Sequence, residues 1–245
     1  VHGFRMYVAR RKNKLINEHL TSKLQNQKRQ YELELKALRS QLNPHFIHNS
    51  LNAIQYYIQM NEVEKSEDYL SKFSKLMRQF FDYSRQNYIS ISEEVALLQN
   101  YLYLEQLRFE EKLEFRINIE EGLDAEQEQL PSMILQPIVE NAVNHGIFHK
   151  KGKGLVAIHF RKNNPCGFQV IVVDDGIGIN AARKRSPSSQ HTNHSSSVIE
   201  ERLHFLNLST KMTIAYTIED VSETDETQTG TKVCLTFNPS QDDDY

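Results

Sequence analysis

The sequence predicts an α+β fold in which a helical N-terminal half is followed by an α/β sandwich. Neither Gly nor Pro occurs from residue 4 to residue 43, and apolar residues recur at helical spacing as far as about residue 109. From about residue 113, apolar and polar residues alternate instead, as they do in half-buried strands. We expect these strands to pair antiparallel, with the helical segments between them covering one face of the sheet.

These changes of pattern predict four parts of the chain. We expect a linker helix (1–42), a helical hairpin with one further helix (43–110), an α/β sandwich (111–240) and an acidic tail (241–245). The linker carries a heptad seam at Leu24, Lys28, Tyr31, Leu35, Leu38 and Leu42. We therefore predict a helix over about 12–42 that forms a parallel coiled coil with a second copy, in preference to a helix packed on its own domain.

The hairpin is predicted from a helix break at Asn43-Pro44. Asn43 suits the N-cap position, and Pro44 suits the first helical position because its missing N–H needs no partner there. A second helix over about 63–85 follows a turn near Asn61. Two copies of this hairpin would make a four-helix bundle.

Further elements follow the hairpin. A helix over 91–109 is predicted, with Ser92 as its cap. Residues 134–146 are also predicted to be helical, with Gly146 as the C-terminal cap. The remaining predicted elements are strands at 113–119, 156–160, 168–173, 211–218 and 231–237, a loop at 180–197 and a helix at 197–208.

The net charge of -3 is unevenly distributed. Residues 1–42 carry ten Lys or Arg and three Glu, whereas the rest of the chain is acidic. A basic cluster within 10–14 follows an apolar-leaning stretch at 4–9, which is equally typical of the cytoplasmic flank of a membrane helix and of a solvated helix end. The acidic balance and the lack of interleaved aromatic residues argue against a nucleic-acid partner.

The cysteines and the hydropathy pattern indicate a cytoplasmic chain. Cys166 and Cys234 lie far apart in strand-like surroundings, where we expect buried thiols in a reducing compartment. No run of 18 or more apolar residues occurs, so we expect none of these residues to span a membrane.

Two short motifs in the second half carry the candidate chemistry. One is Gln-Pro-Ile-Val-Glu-Asn-Ala-Val-Asn-His-Gly at 136–146, and the other is Asp-Asp-Gly-Ile-Gly at 174–178. Each alone is weak, because Asn141 could be a helix-surface amide and Asp174 could be a turn residue. Their order, an Asn-bearing helix and later a strand ending in Asp-x-Gly-x-Gly, resembles the GHKL ATPase superfamily, which includes gyrase and the histidine kinases.

This resemblance implies a site for ATP and Mg²⁺ in a GHKL-type (Bergerat-type) α/β sandwich. Asp174 would accept a hydrogen bond from the exocyclic amine of adenine, and Gly176 and Gly178 would let the backbone approach the base. Asn141 would offer a neutral oxygen to Mg²⁺. The nucleotide-binding residues that the resemblance implies are Asn141, His145, Asp174, Gly176, Gly178, Gly230 and Thr231.

A third motif narrows the resemblance. Residues 41–52 read Gln-Leu-Asn-Pro-His-Phe-Ile-His-Asn-Ser-Leu-Asn and resemble the phosphoacceptor box of LytS-like sensor histidine kinases. The likeness covers about 36–238 and includes Tyr101-Leu102, Arg108-Phe109, Leu130-Pro131 and Glu200-Glu201-Arg202-Leu203. It implies that His45 is the catalytic phosphoacceptor, because neutral imidazole can offer a lone pair to the γ-phosphorus. If a helix begins at Asn43, its free N–H groups would stabilise a phosphoryl group on His45.

Three features depart from the family pattern. His48 stands where the family usually has Phe, and Asn144 stands where many histidine kinases have a basic residue. The segment 194–199 contains no glycine, although many relatives have a Gly-rich ATP lid there. Two alternatives therefore stay open: a nucleotide-impaired pseudokinase or dimeric scaffold, and a GHKL ATPase without phosphotransfer.

The resemblance implies a complete activity. We expect ATP-dependent autophosphorylation of His45 and phosphoryl transfer to an Asp of a response regulator in a two-component system. The implied partners are a second copy of the chain, a cognate response regulator and an upstream membrane sensor region of the same protein. The chain, itself soluble, would act on the cytoplasmic side of the inner (plasma) membrane.

Overall fold

The computed structural model describes the hairpin and most of the second half of the chain. The described residues are 11, 44–109, 112–163, 167–181, 199–207, 212–225 and 227–239. The chain divides into two compact units, Val1–Ile47 and His48–Tyr245. The predicted linker helix, Asn43, Cys166, most of the predicted loop and the acidic tail lie outside the described residues. The predicted part boundaries after residues 42 and 110 stay predictions.

Two helices form the hairpin, as predicted. Helix α1 is Pro44–Gln59 and helix α2 is Val63–Tyr83. Asn61 between them has a φ of 59°, a left-handed conformation that Asn adopts more readily than most residues, so the turn predicted there is confirmed. The four-helix bundle stays a prediction, because it concerns a second copy.

The next helix has the predicted bounds but a different cap. Strand β1 is Tyr88–Ser90, and helix α3 is Ile91–Phe109. The N–H of Glu93 donates to the Ser90 hydroxyl over 3.2 Å, while the N–H of Ser90 donates to the Glu93 carboxylate over 2.9 Å. Ser90 and Glu93 therefore form a capping box, and the prediction that Ser92 is the cap was wrong.

A five-stranded mixed sheet forms the second half of the fold, in the order β2-β4-β5-β7-β6. Its strands are β2 Leu113–Ile119, β4 Gly154–Lys162, β5 Phe168–Asp174, β6 Met212–Asp220 and β7 Thr231–Pro239. A further short strand, β3 (Gln129–Pro131), pairs with β1 in a separate two-stranded sheet. Antiparallel strands were predicted, but β2 and β4 run parallel because the long connection between them crosses over the sheet.

One face of the large sheet is buried. Alternate residues of β4 and β5 are buried, and the buried face also includes residues of β7. The core residues on these strands are Val156, Ile158, Phe160, Phe168, Val170, Val172, Val233, Leu235 and Phe237. Cys234 lies on the opposite face and is a half-buried free thiol, so the prediction of a buried thiol was wrong at this position.

Helix α3 joins the hairpin to the sheet. It is buried on nearly all sides because α2 packs on one side of it and β2 on another. The Asn100 amide donates to the Gln79 side chain over 2.6 Å, and the Gln106 amide donates to the Leu113 carbonyl over 3.0 Å. One continuous helix therefore contacts both layers.

Compared with the helix predicted at 134–146, the helix in the structure begins later and ends later. Helix α4 is Gln136–Asn141, and it continues as a π-helix over Ala142–Ile147. Gly146 lies inside this π segment and is buried, so the prediction that Gly146 caps the helix was wrong. The wider π turn is a type of distortion that occurs frequently at functional sites.

A last helical segment covers residues 199–207 (α5), within the predicted helix at 197–208. Ile199 and Leu203 are its buried residues. The Asn207 side chain accepts from the N–H of Ile214 over 2.7 Å and donates to the Ile214 carbonyl over 3.0 Å, which fixes the end of α5 against β6. In the described part of the chain, no helix has the length and apolarity that crossing a bilayer requires.

Candidate active site

The two motifs of the second half meet in the structure. Gly146, at the end of the Asn-bearing motif, lies so close to Asp174 that a Cβ on Gly146 would overlap the Asp174 carboxylate. The π segment also packs on β4 and β5. The sequence order of the motifs therefore corresponds to a direct contact between them.

The Asp174 carboxylate is buried at the end of β5. The N–H of Gly176 donates to its Oδ1 over 2.9 Å, and both the N–H and the hydroxyl of Thr231 donate to it as well. Thr231 is placed there by register, because it stands opposite Asp174 in the antiparallel pair of β5 and β7. Burial raises the pKa of Asp174 to about 7, against the lowering effect of these hydrogen bonds.

The glycines around Asp174 allow one backbone segment to approach another. A Cβ on Gly176 would overlap the backbone of Gly146, and a Cβ on Gly230 would overlap the carbonyl of Asp174. Gly230 also has a φ of 140°, which side chains rarely adopt. In the structure Gly176 lies close to the backbone of Gly146, and its predicted approach to the base stays a prediction.

Gly178 belongs to a neighbouring cluster. Its φ is 78°, and a Cβ there would lie 2.8 Å from Oδ2 of Asp220. Asp220 accepts from the N–H of Asn180 over 2.8 Å and from the N–H of Ser222 over 3.0 Å. Sequence reasoning missed Asp220, which joins the chain after the glycine turn to the end of β6.

Asn141 and His145 lie on the open side of α4 and its π segment. Residues 142, 143, 146 and 147 are buried, whereas Asn141, Asn144 and His145 are half-buried. Since Asn141 and His145 are one turn apart, they share a face of the segment. The Asn141 amide oxygen is a ligand that suits Mg²⁺. The Asp174 carboxylate, near the other end of the segment, is an acceptor that suits the adenine amine.

His45 belongs to the first compact unit of the chain, Val1–Ile47. It lies in α1, and its side chain is exposed. The helix start at Asn43 that would stabilise a phosphoryl group on His45 stays a prediction, because Asn43 lies outside the described residues. Farther along α1, the exposed His48 ring is 3.1 Å from the Asn52 amide.

Sequence reasoning also missed a buried carboxylate on α3. Glu94 is fully buried, and its oxygens accept from the N–H groups of Met133 and Leu135 over 3.3 and 3.2 Å. Burial raises the pKa of Glu94 to about 7. The guanidinium of Arg202 donates to the carbonyls of Met133 and Ser132 over 3.2 and 2.6 Å. Arg202 belongs to a run that the resemblance includes, but the sequence carried no signal for its contacts.

A second missed carboxylate, Asp175, fixes the edge of the site. It accepts from the N–H of Leu155 over 2.7 Å and forms an ion pair with Lys150 over 2.8 Å. Lys150 follows the π segment directly, so the ion pair ties that segment to the glycine turn. The two adjacent aspartates thus have separate roles. Asp174 is buried, whereas Asp175 binds Leu155 and Lys150.

Comparison with known proteins gives a likeness to histidine kinases. Residues 33–113 match the family model for histidine kinases. The chain is 36% identical over 148 residues to the sensor histidine kinase YpdA of Escherichia coli, covering 60% of this chain and 25% of that protein. It is 30% identical over 148 residues to the sensor histidine kinase/phosphatase LytS of Staphylococcus aureus, again covering 60% of this chain and 25% of that protein.

Among solved structures, the histidine kinase domain of the blue-light activated histidine kinase from Erythrobacter litoralis matches 88% of this chain and 95% of that domain. The sequence identity is 13% and the TM-score 0.46.

The sequence matches make the chain similar to histidine kinases. More narrowly, they confirm the resemblance to LytS-like sensor histidine kinases that was stated from its motifs. The chain spans a quarter of the length of each of these two curated relatives.

Proposed function

We propose that this chain is a kinase core that uses Mg-ATP to phosphorylate its own His45 and then passes the phosphoryl group to an Asp of a response regulator. The observation that carries the proposal is the contact between Gly146 and Asp174, because it joins the two motifs that the nucleotide site requires. The likeness to sensor histidine kinases supports a role in two-component signalling.

Each nucleotide-site residue has a distinct task. The buried Asp174 accepts a hydrogen bond from the adenine amine, Thr231 holds its carboxylate in place, and Gly230 leaves room beside its backbone carbonyl. Asn141 supplies an amide oxygen to Mg²⁺, and His145 lies on the same face of the segment toward the phosphates. Bound Mg²⁺ would neutralise charge on the transferred phosphoryl group.

The proposed chemistry at His45 is a simple displacement. A ring nitrogen of His45 attacks the γ-phosphorus, the bond from that phosphorus to the β–γ bridging oxygen breaks, and ADP leaves with the bonding electron pair. The ring proton passes to solvent. The exposure of His45 on α1 supports access for this attack and for a later acceptor Asp.

An apolar stripe on the hairpin supports a homodimer. The hairpin already has a buried face, on which the Tyr69 hydroxyl donates to Ser50 over 3.3 Å. Several large apolar side chains nonetheless point outward, at Leu51, Ile58, Val63, Leu70 and Phe81. Helices that are apolar on a second side suit packing against another hairpin, as in a four-helix bundle.

We propose a cellular setting on the same basis. The kinase core would lie on the cytoplasmic side of the inner (plasma) membrane, connected to an upstream membrane sensor region and acting on a cognate response regulator. The relatives' names as sensor kinases and the basic cluster at 10–14 support this setting.

Incubation with γ-labelled ATP tests the activity. The wild type should acquire label that is lost in acid, whereas His45→Gln should acquire none, since no imidazole remains at that position. Asn141→Ala should lose labelling through weaker Mg-ATP binding, and His48→Phe should retain it. Label on His45→Gln would contradict the assignment of the acceptor.

The same assay separates the alternatives. Free phosphate without labelled protein would instead indicate a GHKL ATPase without phosphotransfer. Neither labelling nor ATP binding would indicate a nucleotide-impaired pseudokinase or scaffold.

Sedimentation analysis tests the dimer. Leu70→Lys should shift the chain toward monomer, because it places a charge in the apolar stripe, while the stability of the fold should change by about 0.5 kcal/mol or less. Ser71→Lys is the matched control, since Ser71 is an exposed polar residue of the same helix and helical spacing puts it on a different side from Leu70 and Phe81. Equal dimerisation of both variants would rule out the stripe as the dimer face.

A further inference from the structure

The segment 132–135 connects β3 to helix α4, and all four of its residues are buried. Met133 within it has a φ of 59°, which is uncommon for a residue other than glycine. A left-handed Met costs free energy on its own, so surrounding contacts must hold it. We call this segment the junction.

Glu94 holds the junction from the side of α3. Its carboxylate accepts from the N–H groups on both sides of Ile134, at Met133 and Leu135. The carbonyl of Leu135 in turn accepts from the N–H groups of Ile138 and Val139, which are the first hydrogen bonds of α4. Glu94 is therefore bonded to the residue from which the Asn141-bearing helix begins.

Arg202 holds the junction from the side of α5. Its guanidinium donates to the carbonyls of Ser132 and Met133, so the backbone of Met133 is bonded at its N–H by Glu94 and at its carbonyl by Arg202. The positive charge of Arg202 also acts on Glu94. The segment 194–199, where relatives carry a lid, leads directly into α5.

The end of the hairpin also contacts the junction. The Ser132 hydroxyl donates to the carbonyl of Tyr83, the last residue of α2, over 2.7 Å. The N–H of Ser132 donates to the carbonyl of Asn87 over 3.1 Å. The hairpin, α3 and α5 thus all bond to the four residues that lead into α4.

We propose that Glu94 and Arg202 are positioning residues that set the location of Asn141 through the junction. This inference rests on the proposed nucleotide site and deepens it. Asp174 does not depend on the junction in the same way, because Gly176 in the following turn and Thr231 on β7 bond to it directly, and Gly146 of the π segment only packs against it. Loss of either positioning residue should therefore disturb the Mg²⁺ end of the site and spare the adenine end.

Calorimetric titration with ATP, once with Mg²⁺ and once with EDTA, separates these two ends. Glu94→Gln removes the charge and turns one acceptor into a donor that faces a backbone N–H. With Mg²⁺ present, it should weaken ATP binding by about tenfold. In EDTA its affinity should stay within about twofold of the wild type. Glu93→Gln is the matched control, because Glu93 is the neighbour on α3 and bonds to Ser90 instead.

A second variant covers the case in which Glu94→Gln does not fold. Arg202→Lys keeps the charge but cannot donate to two carbonyls in the same fork, so it should give a smaller loss of the same Mg²⁺-dependent kind. Circular dichroism checks that each variant is folded. Arg161→Lys, at an exposed position on β4, should leave both affinities unchanged.

The outcomes are distinct. Wild-type affinity of folded Glu94→Gln and Arg202→Lys in Mg²⁺, or an equal loss with and without Mg²⁺, would overturn the positioning role, since the second result is that of a general structural defect. A wild type that binds ATP under neither condition would overturn the proposed function and this inference with it.

Discussion

Two buried carboxylates, Asp174 and Glu94, have similar surroundings but different relations to the sequence. Each accepts from backbone N–H groups, and burial raises the pKa of each to about 7. Asp174 lies in a glycine turn at a strand end, where Gly176 lies against Gly146 and Gly230 lies against the Asp174 backbone. Glu94 instead reaches from a helix to a segment that contains no glycine and a left-handed Met133.

The difference shows what makes a carboxylate recognisable. The Asp174 region needs glycine at particular positions, and glycine in a short motif can be seen in a sequence. The junction is held by side chains from distant elements, and nothing local marks them. Asp174 and Glu94 thus share burial and a raised pKa. Only the glycine turn distinguishes Asp174, the candidate ligand-binding residue, from Glu94, which bonds to the junction.

The largest expected effect tests the glycine contacts of Asp174. Gly176→Ala should remove nucleotide binding and lower the free energy of unfolding by about 3 kcal/mol, because its Cβ would overlap the backbone of Gly146. Gly122→Ala is the control, since a Cβ at Gly122 would meet nothing within 4 Å, and its positive φ alone should cost about 1 kcal/mol. Urea unfolding and ATP titration measure both quantities. Equal stability of the two variants would contradict the packing role.

A smaller effect tests the two carboxylates directly. Asp174→Asn should weaken ATP binding by about a hundredfold, because the amide presents a donor where adenine also donates. This exceeds the loss expected for Glu94→Gln. The Asp174→Asn variant should be at least as stable as the wild type at pH 8, since it removes a charge from a buried position. Equal ATP affinities for the two variants would contradict the proposal that Asp174 contacts ATP and that Glu94 acts only through the junction.

The smallest effect is a pH dependence that the two carboxylates share. The pKa of each rises from its usual 3.8 or 4.5 to about 7 on folding, so the folded state keeps protons that the unfolded state releases. Stability should therefore be greatest below about pH 4 for these groups and should decline as the pH rises through about 7. Unfolding at pH 5 and pH 8 should show a smaller decline in Asp174→Asn and in Glu94→Gln. The exposed Glu121→Gln is the control.

Local patterns predicted most of the fold. The bounds of α3 and the strand that ends at Asp174 follow from spacing over a few residues, and both were predicted from the sequence. The cap of α3 was misplaced because Ser90 and Ser92 stand close together, and the capping-box spacing from Ser90 to Glu93 was overlooked. Strands β1 and β3 were missed, since three residues carry too little alternation to be recognised.

The candidate site was predictable where its glycines and polar side chains stand in short sequence motifs. Asp174, Gly176, Gly230 and Thr231 come together in the structure, and their role in binding nucleotide stays a prediction. The prediction that Gly146 caps a helix was wrong, because π turns carry the helix past Gly146. Gly146 packs against Asp174, and the local sequence does not show that contact. Contacts such as those of Glu94 and Arg202 join residues far apart in sequence, and one sequence without a structure gives no distance between them.

Helix α3 has a consequence for how the protein unfolds. The Tyr57 hydroxyl donates to the carbonyl of Leu107 over 2.9 Å, and the Tyr103 hydroxyl donates to Asp68 over 2.9 Å, so α3 is bonded to both helices of the hairpin while its other side packs on β2. Losing α3 would expose the cores of both layers at once. Heating should therefore give a single cooperative transition for residues 48–245, with the hairpin and the sheet melting together.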